Sequence, residues 1–288
     1  MVRRAQQGGK EKLAHAHCPS QTPLVPDETR ILILGQSNTR GVQLVDERET
    51  WPNLLANALP EVLGGPVSLT VRPFFAHAPG ALAYLEREVV KHEPDIAFLM
   101  LTTFPFTSPV IEPAVRRRFG DRVGNLFSRS VNRFDGATRH RSPLVQRLNR
   151  ATRSVMVRLL RARPVTTYPV AMEGTVAAME ALSRREELQV LAFHGFVKLP
   201  AERRGRESKV AAEAHRFLNE ARREAERLHI AFLNMQDLPE TKADGLFFPD
   251  CVHVTAQAHR LVAEYALAAF QHGGFAATAA RARDSRSR

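Results

Sequence analysis

"ILILGQSNTRG", residues 31–41, decides how the rest of the chain is read. Four apolar residues run into a turn with glycine at both ends, and the turn holds one serine, Ser37, between the amide side chains of Gln36 and Asn38. A short apolar run stopped by glycine reads as a buried strand. A serine just past such a strand exposes its hydroxyl at the sheet edge, where neighbouring backbone N–H groups face whatever binds. A phosphate-cradling loop of the GxxxxGKS or GxxxxGKT kind is excluded, because no lysine follows Gly41, and the turn does not fit GxGxxG either.

Outward from that strand the pattern alternates. "WPNLLANALPEVL" (51–63) has helical spacing at Trp51, Leu54, Leu55, Ala58 and Leu59; "VSLTVRPFFA" (67–76) is β-branched and aromatic; "GALAYLEREVVKHEP" (80–94) is an amphipathic helix with Leu82, Leu85, Val89 and Val90 on one face. "DIAFLMLTT" (95–103) is apolar throughout, as a strand covered on both faces should be. Residues 104–142 then break the rhythm with prolines, glycines and arginines, and read as an inserted cap. A helix over 143–162 carries Leu144, Leu148, Ala151, Val155 and Leu159 at three-to-four spacing, with arginines on its other faces. "LQVLAFHGF" (188–196) and "IAFLNM" (230–235) are further strands, and 207–228 and 255–270 further helices, the last with Thr255 as N-cap. Five strands alternating with helices predict a three-layer α/β/α domain, flavodoxin-like, with a mostly parallel five-stranded sheet. Sites in such sheets form at the carboxyl ends of the strands.

Composition narrows the classes. With 288 residues and 44% hydrophobic content, the chain can bury a sizeable core without disulfide or metal. Its two cysteines, Cys18 and Cys251, are far apart and form no zinc spacing. No apolar run is long enough to cross a bilayer. Residues 1–28 are polar, and no apolar segment of the secretory kind follows the opening arginines, so the expected compartment is the cytoplasm. Residues 1–28 and 273–288 read as disordered basic tails flanking one domain, 29–272, with an arginine-rich cap at 104–163.

Charge is concentrated in that cap. Between Arg116 and Arg163 lie fourteen arginines, no lysine and two acids, a net +12 in a chain whose total is +11. Such a segment attracts anions such as phosphates, acidic sugars, lipid head groups or nucleic acid. Solvated helical faces that use arginine for solubility are the alternative reading.

A second stretch completes the chemistry suggested by the serine. In "FFPDCVHVTAQAH" (247–259, overlapping the last helix) Asp250 and His253 stand three apart, just before that helix. Nucleophilic serine catalysis needs an imidazole to take the hydroxyl proton and a carboxylate to hold that imidazole in its tautomer. One D-x-x-H loop supplies both, and the chain order is Ser, Asp, His.

These blocks resemble those of the SGNH/GDSL hydrolase family. "ILILGQSNTRG" is similar to its serine block and "DGLFFPDCVHVTAQAHRLVAE" to its Asp-His block. "FFAHAPGALAYLEREVVKHEPDIAFLML" is similar to its second block and the strand that leads to the third. The likeness spans residues 29–271, and GQSN in place of GDS is similar to the carbohydrate-acetylesterase branch. The resemblance implies Ser37 as nucleophile, His253 as general base and Asp250 as its partner. It implies backbone N–H groups of Ser37 and Gly80 as oxyanion donors, no cofactor and no metal. It implies a small-molecule, carbohydrate or lipid ester as substrate, with a short acyl group. The family's third oxyanion donor, an asparagine after the third strand, is absent: "LTTFPFT" puts Thr102 in the glycine place and Phe104 in the asparagine place. Asn38, Thr102, Thr103 and His194 are the candidate replacements. The same triad permits acyl transfer to an alcohol instead of water. A degenerate domain that binds an anionic glycan, lipid or nucleic acid is the rival from another class.

Overall fold

Strands β1 (Thr29–Gly35), β2 (Val67–Pro73), β3 (Ile96–Leu101), β4 (Gln189–His194) and β5 (Ala231–Asn234) form one parallel sheet in the order β2-β1-β3-β4-β5. The structure is a computed structural model. It describes residues 28–41, 44–138, 151–152, 155–195, 206–238, 240, 245–247, 253–272 and 275, with the side chains of all but 128–138 and 206–208. Helices α1 (Trp51–Leu63), α2 (Ala81–His92), α3 (Phe104–Thr107), α4 (Ile111–Thr138), α5 (Tyr168–Ser183), α6 (Arg206–Arg227) and α7 (Ala256–His272) complete the described elements. All five strands fall where the apolar runs put them, β1 starting earlier, at Thr29, and the other four trimmed at their ends. The terminal tails read from the sequence lie almost wholly outside the described residues.

The two faces of the sheet separate by strand alternation. Ile31, Ile33, Phe98, Met100, Leu191 and Phe193 pack under α1 and α7, with Trp51, Leu55, Leu59 and Phe270. Leu32, Leu34, Ala97, Leu99, Val190 and Ala192 pack under α2, α5 and α6, with Leu85, Met179 and Phe217. Apolar residues on both faces are why these strands read as unbroken hydrophobic runs. Burying each large apolar side chain contributes about 1.5–3 kcal/mol.

The structure departs from the sequence reading at four places. The cap is helical over Ile111–Thr138, where weak periodicity had suggested irregular chain; at Gly120 (φ 81°, ψ 169°) the helix breaks direction, which resets the spacing. Helix α5 was not anticipated. Its Ala, Gly and Thr residues leave no polar stripe to reveal a period, although Pro169 in its first turn marks the start. On α2, Leu85 and Val89 are buried, but Leu82 and Val90 are exposed. In the segment 143–162 only residues 151–152 and 155–159 are described as helical, and Leu144 and Leu148 lie outside the described residues. The stripe continues through Val155 and Leu159, and both face solvent, at 53% and 71% exposure. The cap closes on itself at its base, where Val110 and Arg163 form an antiparallel bridge and the Val110 N–H donates to the Arg163 carbonyl at 3.1 Å.

This strand order has a switch point between β1 and β3. The chain leaves β1 toward β2 on one side and returns to β3 on the other, which opens a crevice at their carboxyl ends. The turn that holds Ser37 follows β1, and Thr102 follows β3.

Candidate functional site

Residues Ser37–Thr39 make a single 3-10 turn directly after β1. The Thr39 N–H donates to the Gln36 carbonyl at 2.9 Å, the Thr39 hydroxyl donates to the same carbonyl, and the Arg40 N–H donates to the Ser37 carbonyl at 3.1 Å. Thr39 folds back over the strand end and is 3% exposed. That placement explains both glycines. A Cβ on Gly35 would lie 2.1 Å from Thr39 Cγ2, and a Cβ on Gly41, where φ is +61°, would lie 2.3 Å from Thr50 Cγ2. Ser37 itself is half-buried.

The pairing of β1 with β3 ends at Leu34 and Leu99. The Ser37 turn follows β1 and Thr102 directly follows β3, so both leave adjacent strands at the same carboxyl edge. Thr102 is partly exposed, and its Oγ1 accepts the Phe104 N–H at 3.2 Å, which leaves its hydroxyl proton for another acceptor. Phe104 opens α3 and is 36% exposed; its side chain offers no donor.

The loop after β2 carries Gly80, which caps α2 at φ 75°. The left-handed backbone requires glycine there, and no protein atom lies within 4 Å of where a Cβ would stand. Neither the Ser37 N–H nor the Gly80 N–H donates to a protein acceptor among the described residues. Helix α5 buttresses this loop. A Cβ on Gly174 would lie 2.3 Å from the Ala76 carbonyl oxygen, so the helix touches the loop backbone to backbone.

His253 is half-buried, beside Val254, which bridges antiparallel to Phe247. The segment is anchored by Thr255. Its hydroxyl donates to the Gly245 carbonyl at 2.7 Å, and its Oγ1 accepts the Ala258 N–H at 3.5 Å, in the N-cap role read from the sequence. Helix α7 follows β5 and α1 follows β1, so both begin at the carboxyl edge, and their starts meet where Trp51 packs against His259. The His253 segment therefore shares its edge with the Ser37 turn. Asp250 and Cys251 lie outside the described residues.

The remaining candidates divide. His194 ends β4 and is fully buried. The Asn234 amide is oriented by two partners, its Nδ2 donating to Asp237 at 2.9 Å and its Oδ1 accepting the Gln236 N–H at 3.1 Å. His194 Nδ1, 3.1 Å from that Oδ1, must be the protonated nitrogen, and Nε2 is left as a bare acceptor. Burial lowers its pKa from 6.5 to about 4, so the ring stays neutral. His194 thus has no proton on Nε2 to give, which corrects its candidacy as an oxyanion donor. Thr103 is also fully buried, with its hydroxyl turned into the protein, out of reach of a substrate. Asn38 is half-buried beside Ser37. Of the four, Asn38 and Thr102 are partly accessible, and Thr102 directly follows β3, the strand beside β1. Among the described residues, no three His, Cys, Asp or Glu side chains cluster as a metal site would require.

No family model matches the chain, and no curated protein matches it. Solved structures do. Two catalytic mutants of Axe2, an acetylxylan esterase from Geobacillus stearothermophilus, are similar at a TM-score of 0.50 and 11% identity, over 84% of this chain and 94% of theirs. The acetyl xylan esterase AlAXEase gives 0.48 and 13%, over 83% and 98%. TesA gives 0.47 and 14%, over 82% and 94%. With its all-parallel sheet in this order and its helices on both faces, the chain is similar in fold to Axe2.

Proposed function

We propose that the protein is a serine esterase of the SGNH type, acting on a short-chain acyl ester through a Ser37 acyl-enzyme. What supports the reading is that the glycine-bounded Ser37 turn follows β1 at the carboxyl edge and the His253 segment leads into α7, whose first turn is bonded to that of α1. Ser37 Oγ attacks the ester carbonyl while its proton passes to His253, which Asp250 orients. The C–O bond to the alcohol breaks, and His253 gives that proton to the leaving oxygen. Water then attacks the acyl carbon, loses a proton to His253, and releases the carboxylic acid as Ser37 regains its hydroxyl proton. The N–H groups of Ser37 and Gly80 and the Thr102 hydroxyl stabilise the oxyanion in both steps.

A fluorophosphonate probe tests this directly. Wild type should be labelled at Ser37, and Ser37→Ala and His253→Ala should each abolish labelling. Labelling that survives Ser37→Ala defeats the assignment. Phe104, in the asparagine place, favours a second reading, a binding domain without turnover. That reading gains if wild type is neither labelled nor active on acetyl esters.

A further inference from the structure

Twelve large apolar side chains are exposed among the described residues, and five of them lie in the cap between Val110 and Arg163: Phe119, Val123, Leu126, Val155 and Leu159. Val123 and Leu126 lie three apart on the part of α4 beyond Gly120; Val155 and Leu159 lie four apart on the returning segment. Each pair is one helical stripe. Arg117, Arg118, Arg122, Arg158, Arg161 and Arg163 are exposed alongside them. The outgoing and returning segments share one base, where Val110 and Arg163 form a bridge. The cap leaves the sheet after β3 and rejoins it at the start of α5, both at the carboxyl edge that carries Ser37.

We propose that the cap docks this protein onto an anionic lipid membrane surface. Apolar side chains flanked by arginines match that interface: the first enter the acyl boundary while the second meet the head groups. A second copy is disfavoured, because it would set one +12 segment against another. A nucleic acid gains little from the patch, since all but Phe119 are aliphatic and stacking needs aromatic faces. No helix among the described residues is long and apolar enough to cross a membrane, so the contact is peripheral. Docking would turn the edge bearing Ser37 toward the lipid, but it stands on the cap alone and not on the hydrolytic reading.

The test is co-sedimentation of the full chain with phosphatidylcholine vesicles, with or without about one third phosphatidylglycerol. Binding should be at least about tenfold tighter to the anionic vesicles and should collapse at about 1 M salt. Arg117→Gln/Arg118→Gln/Arg122→Gln and Leu126→Ser/Leu159→Ser should each weaken it about tenfold or more, with an unchanged circular dichroism spectrum. Ser37→Ala should bind like wild type, which separates this proposal from the esterase assignment. Equal binding to neutral vesicles, no binding to either, or full binding by the folded leucine variant overturns it. So does a concentration-dependent dimer in light scattering that Leu126→Ser/Leu159→Ser abolishes without any vesicle binding.

Discussion

The Trp51 backbone N–H donates to His259 Nδ1 at 3.1 Å, in a buried contact that joins the first turns of α1 and α7. This bond holds together the two helix starts that flank the candidate site. Trp51 packs further against Phe98 and Phe193, with ring centroids 6.0 and 5.5 Å apart. As an acceptor, His259 Nδ1 must be unprotonated.

That bond predicts acid lability. Burial lowers the His259 pKa from 6.5 to about 4, and that of His194 likewise to about 4. Between those pH values the unfolded chain binds protons that the native chain refuses, so stability rises with pH. The stabilisation is complete above about pH 6.5 and is lost as pH falls toward 4, on the order of 3 kcal/mol per histidine. Tm should therefore fall steeply over this window. His259→Asn keeps an acceptor for Trp51 but cannot titrate, so its acid slope should be shallower, from a lower Tm at neutral pH. An unchanged slope would remove His259 from the account.

The Ser37 turn predicts a rescue. Gly35→Ala would drive a methyl group into Thr39 Cγ2, on a stiff β-branched side chain that is 3% exposed. Overpacking of this kind costs about 1–3 kcal/mol, and here it displaces the serine. Activity and Tm should both fall. Thr39→Ser removes the methyl at 2.1 Å but keeps Oγ1 at 2.9 Å and Cβ at 3.0 Å, so Gly35→Ala/Thr39→Ser should recover part of both. Failure of the double variant to recover would mean that Gly35 serves something other than space for Thr39.

Much of this was legible in the sequence because burial on both sheet faces writes strands as apolar runs, and the glycines at 35 and 41 marked the turn. The spacing of Val155 and Leu159 showed amphipathicity but not whether those two side chains would be covered, and both are exposed. Helix α5 hid because small residues pack all round it. The role of His194 depends on Asn234, forty positions away in the chain, and no local pattern encodes a tautomer. Thr102 and Ser37 follow neighbouring strands, β3 and β1, and the sequence of one strand cannot reveal its neighbour.

Thr102 carries the last prediction. If its hydroxyl is the third oxyanion donor, it acts only as charge develops on the carbonyl oxygen, so its loss should lower kcat and leave KM nearly unchanged. Loss of one donor slows turnover by about 10²–10³. Thr102→Val preserves shape and removes the proton, and should fall in that range on a simple acetyl ester. Thr102→Ser should retain most of the rate. Val at this position also removes the acceptor of the Phe104 N–H, so a packing effect is separated by Thr102→Ala, which loses bulk as well. Oxyanion loss predicts equal kcat for Val and Ala, whereas a packing defect predicts different values. Phe104→Asn supplies an amide at the asparagine place of the family and should raise kcat by at most about 10²-fold, since α3 was not built around it. In Thr102→Val/Phe104→Asn the new amide should restore part of the lost rate. A Thr102→Val enzyme as fast as wild type would mean that the two backbone donors suffice without a third.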